Sequence, residues 1–337
     1  MMRRWLLWTL LLPLFCAGFG VGARAADGCS ATTTEINFGK NIDILKGEAI
    51  PGVGSVTVSC TLTDKNNYKV LVCMGASNPP TALSMSGPKG VKLEYRMFAN
   101  ETRNTPLEAA SSSNAIKALI TSNNATLSAT RSFYAQISPG QTASPVGEYT
   151  GTFSPEIKYL IFKTNVAAQP TCDTAVGMTP LTAELKATAG ITAQCSISNI
   201  QNMIFPPQAL FKGDVNEQTP AQFTVKCTTD APYAIGLDDG VNAKNGLCSS
   251  LLQRSPQQRC MVSKQNSANR INYDLYHTTE RSSRWGATDP LATGSTGKPR
   301  SGKSSGEQIT VYGKINEPTA SPAPGDYSDT VTITVTY

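Results

Sequence analysis

Three tyrosines recur at one displacement. Tyr95, Tyr134 and Tyr149 reappear as Tyr273, Tyr312 and Tyr327, each 178 residues further on, with internal spacings of 39 and 15 preserved. Their neighbours keep step: Leu93-Glu94-Tyr95-Arg96-Met97-Phe98 faces Ile271-Asn272-Tyr273-Asp274-Leu275-Tyr276, and Val146-Gly147-Glu148-Tyr149 faces Pro324-Gly325-Asp326-Tyr327. Cys29 and Cys60 lie 31 apart, and Cys195 and Cys227 lie 32 apart. The chain therefore contains one unit twice, and 337 residues is a length that suits two domains.

Each copy reads as short strands between turns. Val56-Thr57-Val58-Ser59-Cys60, Phe223-Thr224-Val225-Lys226-Cys227 and Tyr233-Ala234-Ile235-Gly236-Leu237 alternate with period two, and Asp238-Asp239-Gly240 supplies a turn. The clearest strand closes the sequence: Val331, Ile333, Val335 and Tyr337 face one way, and Thr330, Thr332, Thr334 and Thr336 the other. Charged residues make up only 16%, beside 27 Gly and 21 Pro. Downstream of the N-terminal segment no stretch shows a comparable helical period. The expected class is all-β, two β-sandwich domains.

Arg3 and Arg4 precede an apolar run from Trp5 to Ala17, followed by Ala23-Arg24-Ala25. Residues 1–25 read as a signal peptide, and the mature chain as exported and soluble. The run is shorter than the roughly 18 to 20 residues that span a bilayer. Removing Arg3, Arg4 and Arg24 lowers the net charge from +5 to +2, too little to mark a nucleic-acid or anionic-lipid partner. Removing Cys16 leaves eight of nine cysteines, a disulfide set in an exported chain rather than a metal site. Cys29–Cys60 and Cys195–Cys227 each join the first strand of a copy to the end of its second. Cys248–Cys260 closes a local loop, which leaves Cys73 and Cys172 for the first copy, with Cys73 still open to another partner.

The second copy carries Arg284-Trp285-Gly286, Val311-Tyr312-Gly313-Lys314-Ile315 and Pro324-Gly325-Asp326-Tyr327 running on to Tyr337. This pattern resembles the spore coat U domain family, which includes pilins of archaic, Csu-type chaperone-usher pili. The first copy matches through its cysteine spacing, Ile36-Asn37-Phe38-Gly39, the tyrosine register and Gly147-Glu148-Tyr149, but lacks the Trp-Gly and Tyr-Gly motifs. The resemblance implies an immunoglobulin-like fold whose C-terminal copy misses its last strand. A donated strand completes it, first from a periplasmic chaperone and, beyond the outer-membrane usher, from an adjacent pilin subunit.

On that reading Val331, Ile333, Val335 and Tyr337 line the acceptor groove. After cleavage only Ala26, Asp27 and Gly28 precede Cys29, too few to donate a strand onward. Residues 181–191 place Leu181, Ala183 and Leu185 on one face and are expected to fill the groove of the first copy from within the chain. The expected division is a signal peptide at 1–25, an adhesin-type domain at 26–178, a linker with an internal donor strand at 179–194, and a pilin domain at 195–337. The expected function is that of a pilus-tip subunit at the cell surface, attaching to an abiotic surface or host ligand and supporting biofilm formation. The alternatives are a structural minor pilin or coat protein, and a glycan-binding adhesin.

Two apolar segments of the first copy are candidate adhesive loops: Met74 to Leu83, and the stretch holding Ile116, Leu119 and Ile120. Each reads either as an exposed finger or as core. Several other motifs carry no chemistry. Residues 297–304 satisfy GxxxxGK[ST] but lack the following helix that would cradle phosphate. His277 is the sole histidine and lacks a nucleophile elbow, so it reads as a strand-end surface residue. No CxxC pair is present, and turn formation accounts for Asp238-Asp239. Asn100-Glu101-Thr102 and Asn124-Ala125-Thr126 match a glycosylation pattern of little use to a bacterial exported protein. No enzyme activity and no cofactor are expected.

Overall fold

The computed structural model describes residues 27–77, 83–121, 127–208, 214–216, 220–248, 259–289, 299–315 and 322–337; the signal peptide at 1–25 and the Asn124 motif lie outside them. The first unit comprises β1 (Gly28–Asn37), β2 (Ile50–Thr61), β3 (Tyr68–Gly75), β4 (Leu83–Ser86), β5 (Lys92–Phe98), β6 (Ile116–Ile120), β7 (Ser128–Ile137), β8 (Gly147–Phe153), β9 (Glu156–Lys163), β10 (Thr179–Leu181) and β11 (Leu185–Ile191). The second comprises β12 (Cys195–Ser198), β13 (Ala221–Cys227), β14 (Pro232–Leu237), the one-turn helix α1 (Val241–Lys244), β15 (Arg259–Ser263), β16 (Arg270–Tyr276), β17 (Arg300–Ser301), β18 (Glu307–Ile315), β19 (Tyr327–Ser328) and β20 (Ile333–Thr336).

The two units share one strand framework. In the first, the larger sheet runs β1-β11-β8-β4-β5-β7-β2 and closes on itself, beside a smaller sheet β10-β9-β3-β6. In the second, the sheets run β12-β13-β18-β16-β15-β19 and β17-β14-β20. Taken in chain order, β12 to β20 occupy the places of β1 to β9, neighbour for neighbour. Among the described residues, β10 and β11 have no counterpart. The larger sheet of the second unit therefore stays open between β12 and β19.

Period-two burial drives each sandwich together. Val56 and Val58 of β2, Phe133 and Ala135 of β7 and Tyr95 of β5 all point into the first core. Phe223, Val225, Ile235, Ile309, Val311 and the indole of Trp285 fill the second. Cys29–Cys60 and Cys195–Cys227 are both disulfides across directly opposed strand positions. Cys248–Cys260 closes its short loop. Cys73–Cys172 ties the segment after β9 onto the outer side of β3, where Leu71, Ala110 and Ala115 are buried with it.

Two corners recur at the same displacement. Tyr149 and Tyr327 donate their hydroxyls to the carbonyl four residues earlier, Pro145 at 2.9 Å and Ala323 at 2.6 Å, the tyrosine corner of immunoglobulin-like sandwiches. Arg103 and Arg281 both adopt positive φ, 54° and 52°. Their Nε groups donate to Ala135 and Gly313 carbonyls at 3.0 and 2.8 Å, and their Nη1 groups to the carbonyls of Glu101 and Thr279. The units meet where the Val146 amide donates to the Thr229 carbonyl at 3.0 Å and Lys89 pairs with Asp230 at 2.8 Å.

One expectation is corrected. The closing strand does not span residues 330–337: only Ile333–Thr336 pairs, with β14. Thr332 keeps one more rung, from the Asp238 amide, and residues 329–331 leave the ladder because their polar groups bond to the corner after β14, as described below.

The Cys73–Cys172 loop spans 99 residues against 12 for Cys248–Cys260. In the chain-entropy account its removal costs about 4 to 5 kcal/mol, against about 3 for the shorter loop. Cys73→Ser/Cys172→Ser is expected to lower the guanidinium midpoint of the first unit, followed by near-ultraviolet circular dichroism. The emission of Trp285, which reports on the second core, should keep its midpoint.

Candidate strand-accepting edge

β11 shows what a filled groove looks like. It pairs antiparallel with β8 over seven residue pairs, from Leu185 opposite Phe153 to Ile191 opposite Gly147. It also runs parallel to β1, with Ala187 opposite Ile36, and the Phe38 and Ile42 amides donate to the Thr188 and Gly190 carbonyls. Leu185, Ala187, Ala189 and Ile191 are all buried. The internal donor segment is thus a strand, but it is shorter than expected. Leu181 belongs to β10, opposite Ile157, residues 182–184 break the run, and Ala183 is half-buried against the core.

The second unit presents the same walls without the filling. Tyr149 and Phe153 are fully buried beside β11, whereas Tyr327 and Val331, at the same positions, are half-buried. Ile333 and Val335 are half-buried too, and Tyr337 is 54% exposed. On the opposite wall Ile197, Met203 and Phe205 are half-buried, and Ile200 and Ile204 are 64% and 63% exposed. An apolar cleft flanked by unpaired backbone is the geometry that accepts an extended strand.

Beneath this edge lies a polar layer with no counterpart among the described residues of the first unit. Arg259, fully buried, donates to the carbonyls of Leu237, Asp238 and Trp285 at 2.9, 2.8 and 2.7 Å. Arg284 bridges Asp274 at 2.7 Å and Asp239 at 3.0 Å. Three carbonyl acceptors and the nearby Asp274 offset the cost of burying the Arg259 charge. Asp238 accepts from the Gly240 and Thr332 amides, both at 2.9 Å, and pairs with Lys244 at 2.6 Å. Burial alone would raise the Asp238 carboxyl, but the bonds from Lys244, Thr332 and Gly240 prevail and hold it well below the usual carboxylate range. Burial raises Asp329, which accepts from the Tyr273 hydroxyl at 2.9 Å.

The adhesive-loop expectation is corrected. Met74 lies near the end of β3 inside the core, and Ile116 and Ile120 point inward from β6, which pairs with β3. Alternation places only Leu119 outward, 39% exposed. Leu83 starts β4, half-buried; Pro79 and Pro80 lie outside the described residues. His277 is not a free surface group either: it is half-buried, edge-on to Trp285 at 6.3 Å. Within the GxxxxGK[ST] match, Arg300 and Ser301 form β17, Arg300 binds Asp289, and a strand follows. Among the described residues no three His, Cys, Asp or Glu side chains gather as metal ligands, and no helix is long and apolar enough to cross a membrane.

In the sequence Asp238 reads only as part of a turn, and no role is assigned to Arg259 or Asp329. The repeat itself carried a signal, because Asp329 stands 178 residues after Gly151, a carboxylate where the other copy has no side chain.

Fold and edge together define a two-unit β-sandwich protein in which one copy of the framework is closed by its own strand and the other is left open. The Spore Coat Protein U domain matches residues 16–154 and 181–334, and the chain belongs to that family. The second match begins at Leu181 and so includes β11, which sits in the sheet of the first unit. Among solved structures, the chaperone–tip adhesion subunit pre-assembly complex CsuC–CsuE from archaic chaperone-usher Csu pili of Acinetobacter baumannii is similar at 18% identity and a TM-score of 0.49, covering 92% of this chain and 100% of that one. AggA, the major subunit of aggregative adherence fimbriae type I from Escherichia coli, is similar at 15% identity and a TM-score of 0.27, covering 50% and 97%. Comparison with curated proteins finds no match.

The two carboxylates respond oppositely to acid. The stabilisation from Asp238, with its depressed folded value, is complete above about pH 4 and is lost as pH falls below it. The penalty at Asp329, with its raised value, is relieved as that group takes up a proton. Asp238→Asn is expected to cost about 2 kcal/mol at pH 7 and to flatten the decline in second-unit stability between about pH 4 and pH 2, read from Trp285 emission in urea.

Proposed function

We propose that this chain is the end subunit of a pilus assembled by the chaperone-usher route, and that it is not an enzyme. The second unit takes a strand from a periplasmic chaperone and then, past the usher, from the adjacent pilin. The first unit, already closed, faces outward and makes the attachment that supports biofilm formation. One observation carries this reading: a single strand framework is completed by β11 in one copy and left open in the other. β11 lies within the second family match yet fills the first sheet, the arrangement a neighbour's arm would adopt in the groove of the second unit, parallel to β12 and antiparallel to β19. In the first unit β1 pairs with β2 from Gly28 onward. Four disulfides suit assembly in an oxidising compartment.

With Met74, Ile116 and Ile120 in the core, the contact surface falls to exposed loop positions, residues 63–67 and Glu101, Thr102 and Asn104. Gold-labelled antibody against the first unit is expected at fibre ends on the producing cells, and deletion of the chain is expected to abolish attachment while shafts remain. Label along the whole shaft would favour the structural minor pilin and overturn the terminal position. Attachment that persists after deletion would remove the adhesive role.

A further inference from the structure

The open unit holds its edge with side chains where the closed unit uses a strand. We propose that Asp238 and Asp329 are positioning residues for strand acceptance: they suspend residues 328–332 from the β14–α1 corner and keep the open edge in place before a partner arrives. This role rests on the strand-accepting reading above.

Every link is short and specific. The Thr332 amide donates to Asp238 Oδ1 at 2.9 Å, and the Asp238 amide donates back to the Thr332 carbonyl at 3.1 Å. The Val241 amide donates to the Thr330 carbonyl at 2.9 Å. Asp329 Oδ1 accepts from the Asn242 amide at 3.2 Å and the Thr330 amide at 2.9 Å, while its Oδ2 takes the Tyr273 hydroxyl. Asn242 Nδ2 reaches the Ser328 carbonyl at 2.9 Å and the Cys260 carbonyl at 3.0 Å. Gly240 makes the corner possible: its φ is 86°, and a Cβ there would lie 2.1 Å from Asp329 Oδ2.

Among the described residues the closed unit shows no such clamp. Gly151 stands at the Asp329 position, directly opposite Ala187 of β11, and the hydroxyl of Tyr95, counterpart of Tyr273, is buried without a partner. The clamp therefore accompanies the missing strand. An edge without a ladder partner frays, and a groove wall that must be ordered on binding weakens and slows that binding. Charge-assisted bonds to two carboxylates set the wall in advance.

Amide exchange on the full mature chain tests the clamp without a ligand. In Asp329→Ala, exchange at Val241, Asn242, Thr330 and Thr332 is expected to accelerate at least tenfold more than at the β13 and β18 amides. Asp329→Asn, which keeps an Oδ1 acceptor, should fall between. A synthetic peptide of residues 179–192, the strand that fills the homologous groove, then serves as probe: its association with Asp329→Ala, followed by Trp285 emission, should slow at least tenfold while dissociation changes less. Unchanged exchange at 328–332, acceleration spread evenly over the second unit, or an unchanged association rate would overturn the proposal. Should Asp329→Ala fail to fold, Tyr273→Phe, which removes one hydroxyl, takes its place with the same criteria. If the wild-type chain takes up no peptide, strand acceptance fails, and exchange alone still decides the clamp.

Discussion

The backbone pairing of β11 with β8 on one side and β1 on the other is the contact on which the architecture turns. It closes the larger sheet of the first unit and buries Tyr149, Phe153 and Ile36. Without an equivalent strand, the second unit keeps the same neighbours in the same order but leaves Tyr327, Val331, Ile333 and Val335 half-buried. In the larger sheet the difference between the closed copy and the open one is thus a single strand. Its main-chain donors and acceptors have to be met somewhere.

The copies also differ in how they manage the interior near that strand. In the first, small side chains make room: Ala187 and Ala189 of β11 lie over Gly151 and Tyr149. In the second, Arg259 occupies the ladder position that Leu83 holds opposite a tyrosine, and carboxylates fill the neighbouring space. A buried guanidinium is tolerated because backbone carbonyls and Asp274 meet it. That is a costly way to fill volume, and it is retained in the unit that lacks its strand.

Much of this was legible in the sequence. The tyrosine register announced the repeat because aromatic anchors at fixed strand positions tolerate little displacement. The cysteine pairs followed from strand order, and the alternation around Leu185 gave away the filling strand. The apolar run at Ile116 was ambiguous, since an edge strand with period-two burial and a greasy loop look alike over five residues. The end of the chain misled for a different reason. Val331 to Tyr337 has strand alternation throughout, yet bonds from the Asn242 amide to Asp329 and from the Val241 amide to the Thr330 carbonyl draw residues 329–331 out of the ladder, and such long-range capture leaves no local pattern. The Arg103 and Arg281 corners recur at the same displacement, but a single arginine in a turn carries no periodicity to mark it.

Only Thr192, Ala193 and Gln194 separate the end of β11 from the start of β12. A pull on the second unit is therefore delivered along the axis of β11, at right angles to its hydrogen bonds with β8. Loaded this way the bonds share the tension and must break together, whereas a strand tugged sideways unzips one bond at a time. The strand that completes the first unit is thus also the one through which tension between the two copies would pass.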